Sequence, residues 1–145
     1  MTISVLLVDD EVGFVQSLAK RLTIRQFDVH QAFDAETATL ILADNPDIDV
    51  VVLDVKMPGT DGLTAIKSIK RRHPLVEVIL LSGHATLETS VGGMALGAFD
   101  YLLKPVRIDE LVYKVEDAYR RKALQEEKIR SLREVTAPES DEQKT

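Results

Sequence analysis

The chain contains no cysteine. Disulfides, thiolate catalysis and Cys-ligated metal centres are therefore excluded. Aromatic residues make up only 5% of the 145 residues, so Leu, Val, Ile and Ala must fill the interior. No apolar run approaches the ~20 residues needed to span a bilayer. The N-terminus enters a strand pattern at once, without the basic region and long apolar core of a signal peptide. A cytoplasmic address with no membrane contact is the expectation. The formal charge of −6 argues against direct nucleic-acid binding, which needs a basic face. Arg71 and Arg72 make only a local patch, as do Arg120, Arg121 and Lys122, and both read as solvated helix ends. A hydrophobic share of 45% and a charged share of 29% suit one soluble domain with some length left over.

Four apolar runs each end in a chemically loaded side chain. Val5 to Val8 runs into Asp9 and Asp10, Val50 to Leu53 into Asp54, Val78 to Leu81 into Ser82, and Phe99 to Leu103 into Lys104-Pro105. Such runs, with little alternation, read as strands buried on both faces of a parallel sheet. Between them lie helical patterns. Residues 11 to about 25 carry Val12, Val15, Leu18, Ala19 and Leu22 at helical spacing. Phe27 to Ala32 reads as a shorter, more exposed strand, and Asp34 as the N-cap of a helix packing through Ala38, Ile41 and Leu42. Met57 to Gly62 is a turn-rich loop before a helix that Pro74 ends. A fourth helix spans about 87–96, and a last one begins at Ile108. Five β-α units in about 120 residues predict an α/β, doubly wound five-stranded parallel sheet with helices on both faces. The flavodoxin-like order 2-1-3-4-5 is expected, because it makes the first, third and fourth strand ends neighbours.

The carboxyl ends of parallel strands share one edge, where ligands bind. Asp9, Asp10, Asp54, Ser82 and Lys104 are thereby expected to meet. Three converging carboxylates raise one another's pKa unless a cation sits between them. A hard, oxygen-liganded divalent ion resolves this, and Mg2+ suits few carboxylates plus phosphate oxygens. Alternatively, Asp9 and Asp10 cap the first helix and Asp54 closes its strand. Lys104 adds a cation. X-Pro bonds are cis in ~5–6% of cases, and a cis form here would aim the lysine into the crevice. The Ser82 hydroxyl can donate to an anionic oxygen or cap the next helix. No base accompanies it, which argues against hydrolase chemistry.

The blocks VLLVDDE, VVLDVKMPGTDGL, VILLSGHA and GAFDYLLKP, in this order, resemble those of the receiver domain of two-component response regulators. The resemblance covers residues 3 to about 122 and is greatest to receivers of the nitrogen-regulator type, which precede an ATPase and a DNA-binding domain. It implies Asp54 as phosphoacceptor for a histidine kinase or phosphotransfer protein. It implies Asp9, Asp10, Asp54 and the Lys56 backbone carbonyl as Mg2+ ligands. It further implies Lys104 as partner of the acyl phosphate, Ser82 as switch hydroxyl and Tyr101 as switch aromatic. Lys56 and His84, two positions beyond Asp54 and Ser82, are candidates for tuning the lifetime of the phosphoryl group. The sequence departs from the family at Ser82, where Thr is more usual, and at Gly92-Gly93 inside the fourth helix. Those glycines read either as marginal helix suited to a switch or as small residues permitting close packing.

The resemblance thus implies a signalling domain that catalyses its own phosphorylation and slow dephosphorylation, rather than a turnover enzyme. A Mg2+-dependent aspartyl-phosphate phosphatase is a rival, but such enzymes typically carry an acid where Lys56 stands. An interaction module with a vestigial site is another. Partners implied are an output domain, or a second copy through the fourth helix, fifth strand and last helix. Residues 123–145 read as a helical extension, with helix formers to about Glu134, ending in a disordered tail formed by Pro138 and its polar neighbours.

Overall fold

The computed structural model describes residues 2–83 and 87–144, with the side chains of Thr60, 87–90 and 136–144 left undescribed. His84 lies outside the described residues. Strands β1 (Ser4–Val8), β2 (Asp28–Ala32), β3 (Val50–Asp54), β6 (Glu77–Ser82) and β7 (Asp100–Leu103) form one parallel sheet in the order β2-β1-β3-β6-β7. Counting these strands alone, that is the expected order 2-1-3-4-5. Two short strands, β4 (Lys56–Met57) and β5 (Thr60–Asp61), pair antiparallel inside the segment expected to be a loop. Two residues per strand are too few to leave a periodic signal.

Every residue of β1, β3 and β6 is buried, whereas the edge strand β2 buries only Ala32 fully. Alternate side chains serve two cores. Val5, Leu7, Val50, Val52, Ile79 and Leu81 pack with helices α1 (Val12–Ile24) and α5 (Ile108–Lys144) on one face. Leu6, Val8, Val51, Leu53, Val78 and Leu80 pack with α2 (Ala35–Asp44) and α3 (Gly62–Arg72) on the other. Helix α4 (Leu87–Ala95) joins the second face, with Gly93 against Leu80 and Ile66. Among the described residues, no helix is long and apolar enough to cross a membrane.

Local chemistry accounts for the boundaries. Asp34 caps α2 by accepting from the Thr37 backbone N–H at 2.6 Å, and Asp61 caps α3 from Leu63 at 3.1 Å. Gly62 opens α3 where a Cβ would stand 2.6 Å from the Val55 carbonyl oxygen, so only glycine lets the helix start approach the chain leaving β3. Val12, expected on the packing face of α1, is instead 45% exposed, because the helix begins there, above the rim of the sheet. The α5 backbone is helical to Lys144, including the stretch around Pro138 for which disorder is expected from the sequence.

Candidate functional site

Strands β1, β3 and β6 are adjacent, so their carboxyl ends deliver Asp9, Asp10, Asp54 and Ser82 to one stretch of rim. The pairing continues past the strands. Asp9 N–H donates to Ala32 at 3.1 Å, Val55 N–H to Leu81 at 2.9 Å, and Lys104 N–H to the Ser82 carbonyl at 2.9 Å. Backbone hydrogen bonds therefore fix the acid, hydroxyl and amine positions at their bases. One oxygen from each of Asp9, Asp10 and Asp54 falls within 4.8 Å of the other two. Asp9 and Asp54 are buried and Asp10 is exposed, which leaves the cluster open on one side.

Lys104 reaches this cluster from β7. Its Nζ lies 2.7 Å from Asp9 Oδ2, 2.7 Å from Glu11 Oε1 and 3.7 Å from Asp54 Oδ2. The ammonium also stands 4.6 Å from the centroid of the Phe14 ring, within cation–π range. The Lys104–Pro105 peptide is cis. Ser82 is buried at the end of β6, and Tyr101, on β7, is 41% exposed. Lys56 begins β4 and is exposed. The six sequence-predicted positions 9, 10, 54, 56, 82 and 104 are thus at one rim. Tyr101 lies one strand over, opposite Leu80 in the register.

The electrostatics are unbalanced. Burial pushes the Asp54 carboxyl up to about 6, and the neighbouring Asp9 adds to the rise. The Lys56 backbone N–H, which donates to Asp54 Oδ1 at 3.0 Å, and the Lys104 charge pull against it. Burial favours the neutral amine at Lys104, but ion pairs with Asp9 and Glu11 outweigh it and raise the pKa above the usual lysine range. Lys104 is therefore cationic at neutral pH. Asp9 Oδ2 is buried and, despite the nearby ammonium, makes no hydrogen bond of regular geometry. Three carboxylates, one such oxygen and a suppressed ionisation fit a small hard cation with oxygen ligands. The residues present could hold a metal ion.

Two contributors do not stand out in the sequence. Glu11 directly follows the acid pair and reads there as the start of a helix, yet it shares the Lys104 ammonium with Asp9. Phe14, one turn along α1, lies under the same group. The available signal is their spacing from Asp10 at the head of α1, and the pairing partner is ninety-three residues away.

The response regulator receiver domain family matches residues 5–116. A putative NtrX-like response regulator of Rickettsia bellii is 39% identical over 129 residues, covering 88% of this chain and 27% of that protein. A receiver domain from Clostridium thermocellum has a TM-score of 0.81 at 35% identity, covering 85% of this chain and 98% of that one. NtrX from Brucella abortus also superposes with a TM-score of 0.81, at 34% identity, with 88% of this chain and 29% of that chain covered. The chain spans about a quarter of the length of the curated relatives it matches. With the acid cluster and lysine where the doubly wound sheet should put them, the chain belongs to the receiver domains of response regulators, and its relatives are of the NtrX and NtrC kind.

Proposed function

We propose that this receiver accepts a phosphoryl group on Asp54 from the phosphohistidine of a histidine kinase or phosphotransfer protein. The observation that carries the reading is the buried Asp54 carboxylate, 3.7 Å from the Lys104 ammonium and grouped with Asp9 and Asp10. A carboxylate oxygen of Asp54 attacks phosphorus as the P–N bond to the donor imidazole breaks. The electron pair returns to the imidazole nitrogen, and the product is an aspartyl phosphate. Asp9, Asp10, Asp54 and the Lys56 carbonyl would hold Mg2+, which when bound supplies positive charge to the transferring phosphoryl oxygens. Lys104 supplies a second positive charge, fixed in place by Asp9, Glu11 and Phe14. Water later cleaves the acyl phosphate slowly, and Lys56, exposed beside it, is placed to influence water's approach.

The added phosphoryl oxygens draw the Ser82 hydroxyl toward position 54. Its displacement opens space for Tyr101, now on the surface of the neighbouring strand, and repositions α4 and β7. That change controls an output domain, or pairing with a second copy through α4, β7 and α5. Residues 1–122 form the receiver and 123–145 an extension from it. The domain signals in the cytoplasm without contacting nucleic acid itself.

Intact mass after incubation with acetyl phosphate and Mg2+ tests the reading. Native protein should gain one phosphoryl mass that is lost on brief alkaline treatment, and Asp54→Asn should gain none. An unmodified native protein would leave a vestigial interaction module as the function.

A further inference from the structure

The opposite rim of the sheet carries a second set of charges, built differently. Asp49, preceding β3, is buried; it accepts from the Ser4 N–H at 2.9 Å and from Lys122 Nζ at 3.0 Å. Glu77, the first residue of β6, is 3% exposed and accepts two hydrogen bonds from the Arg121 guanidinium, one of them at 2.8 Å. Lys70 of α3 approaches the same carboxylate at 3.5 Å, and the Arg121 guanidinium lies over the Phe99 ring at 4.7 Å. Lys122 also donates to Glu126 at 3.2 Å, one turn further along α5. The charged residues of this set belong neither to the acid cluster nor to any block quoted for the receiver resemblance.

Their place in the fold gives them a role. Among the described residues, the last buried apolar side chain of α5 is Ala118. Beyond Lys122, Leu124, Leu132 and Val135 are more than 60% exposed, and Ile129 is 37% exposed. A cavity of about 290 Å³ is bordered by the start of the extension, through Glu126, Ile129, Arg130 and Arg133, and by Leu75 of the α3–β6 connection. Full burial of apolar side chains among the described residues of α5 therefore ends at Ala118. The departing turn is held instead by two carboxylates that the backbone pairing of β3 and β6 keeps in register, Glu77 N–H donating to the Asp49 carbonyl at 3.1 Å.

We propose that the Asp49–Lys122 and Glu77–Arg121 pairs form a clamp that sets the heading of the α5 extension relative to the sheet. Hydrophobic contact is non-directional, whereas a bidentate guanidinium–carboxylate pair and a buried ammonium–carboxylate pair each demand one geometry. Such a clamp makes the extension a lever whose base is rigid, able to pass a change in domain posture to whatever is attached along it. The roughly 13 residues from Lys122 to Val135 span about 20 Å at ~1.5 Å per residue, so a tilt of about ten degrees moves the far end by about 3 Å. This role does not depend on whether Asp54 accepts a phosphoryl group.

The chain has no cysteine, so spin labels at Lys67→Cys on α3 and Val135→Cys on α5 meet no background. Pulsed dipolar distances would be read in the full chain, natively paired and as Asp49→Asn/Lys122→Met, which strands no buried charge. The expected result is a distance distribution at least twofold broader in the neutralised pair, with native width restored by Asp49 with Lys122→Arg. Glu126→Gln, which leaves the sheet untouched, should broaden it less and covers the case in which the double variant does not fold. Unchanged widths in folded variants, shown by native amide protection of 51–53, would overturn the clamp.

Discussion

The two rims of one sheet treat charge in opposite ways. At the carboxyl rim Asp9, Asp10 and Asp54 face one ammonium, which Glu11 also claims, and burial, with Asp9 adding to it, makes Asp54 resist ionisation. At the amino rim each buried carboxylate has its own cation, Asp49 with Lys122 and Glu77 with Arg121. A buried ion pair adds little net stability over apolar packing but costs much to break, so the matched rim is a device for geometry. The unmatched rim is the one at which we propose that a cation and a phosphoryl group bind. The same residue types yield structure where charges close and chemistry where they do not.

The largest expected effect strikes the matched rim. Lys122→Met alone leaves Asp49 buried without a cation and should cost about 3–5 kcal/mol in chemical denaturation. Asp49→Asn added to it should recover most of that loss. A cost below about 1 kcal/mol would show that the pair is screened and that the rims do not differ.

Neutralisation at the other rim should have the opposite sign. Asp54 is raised from 3.8 to about 6 in the folded protein, so the folded state prefers its carboxyl protonated. A folded pKa above the unfolded one means that Asp54 adds stability that is complete below about pH 4. That stability is lost as pH rises through about 6. At pH 7 in metal-free buffer, Asp54→Asn should therefore be more stable than native by about 2–3 kcal/mol, at ~1.36 kcal/mol per pKa unit. The gain should vanish near pH 4. An Asp54→Asn protein no more stable than native at pH 7 would refute the upward shift of the buried Asp54 carboxyl.

Mg2+ sharpens the contrast. At about 100 times its dissociation constant it should stabilise native protein by about 2.7 kcal/mol. The thermal midpoint of Asp9→Asn should respond much less, while Lys122→Arg at the far rim should respond like native.

The smallest effects concern α4. A Cβ on Gly93 would collide with the Leu80 side chain and come near Ile66, whereas one on Gly92 meets Leu63 at 3.2 Å. Close packing thus explains Gly93 directly. Gly93→Ala should cost about 1–3 kcal/mol by overpacking. Gly92→Ala requires a smaller adjustment of Leu63, and its helix-propensity gain is up to ~1 kcal/mol. Slower amide exchange across 91–96 in Gly92→Ala but not Gly93→Ala is the expected pattern. Equal slowing in both would return the pair to the marginal-helix reading.

Much of the fold was legible because the buried strands announce themselves. Val50 to Leu53 and Val78 to Leu81 are too apolar and too β-branched to be surface segments, and helical spacing between them forces right-handed crossovers. The site was legible for the same reason, since a side chain ending a parallel strand must appear at the carboxyl rim. Arg121 and Lys122 were misread as a solvated patch, because adjacent basic residues in a helix look alike whether they face water or a buried acid. Nothing near them in sequence distinguishes the cases. Glu77, at the start of an apolar run, likewise reads as a boundary residue until Arg121 is seen across from it.

Composition and periodicity by themselves determined the α/β architecture and the shared rim of Asp9, Asp10, Asp54 and Lys104, since these follow from burial and from the shared direction of parallel strands. The strand order came from requiring those strand ends to be neighbours, not from periodicity. Only the tertiary structure decided which acids Lys104 holds, how far Asp54 is driven from ionising, and that α5 is tied down at Asp49 and Glu77. Those outcomes depend on distances of a few ångströms between residues tens of positions apart. Charge interactions change steeply over such distances and with burial, and no local pattern encodes either.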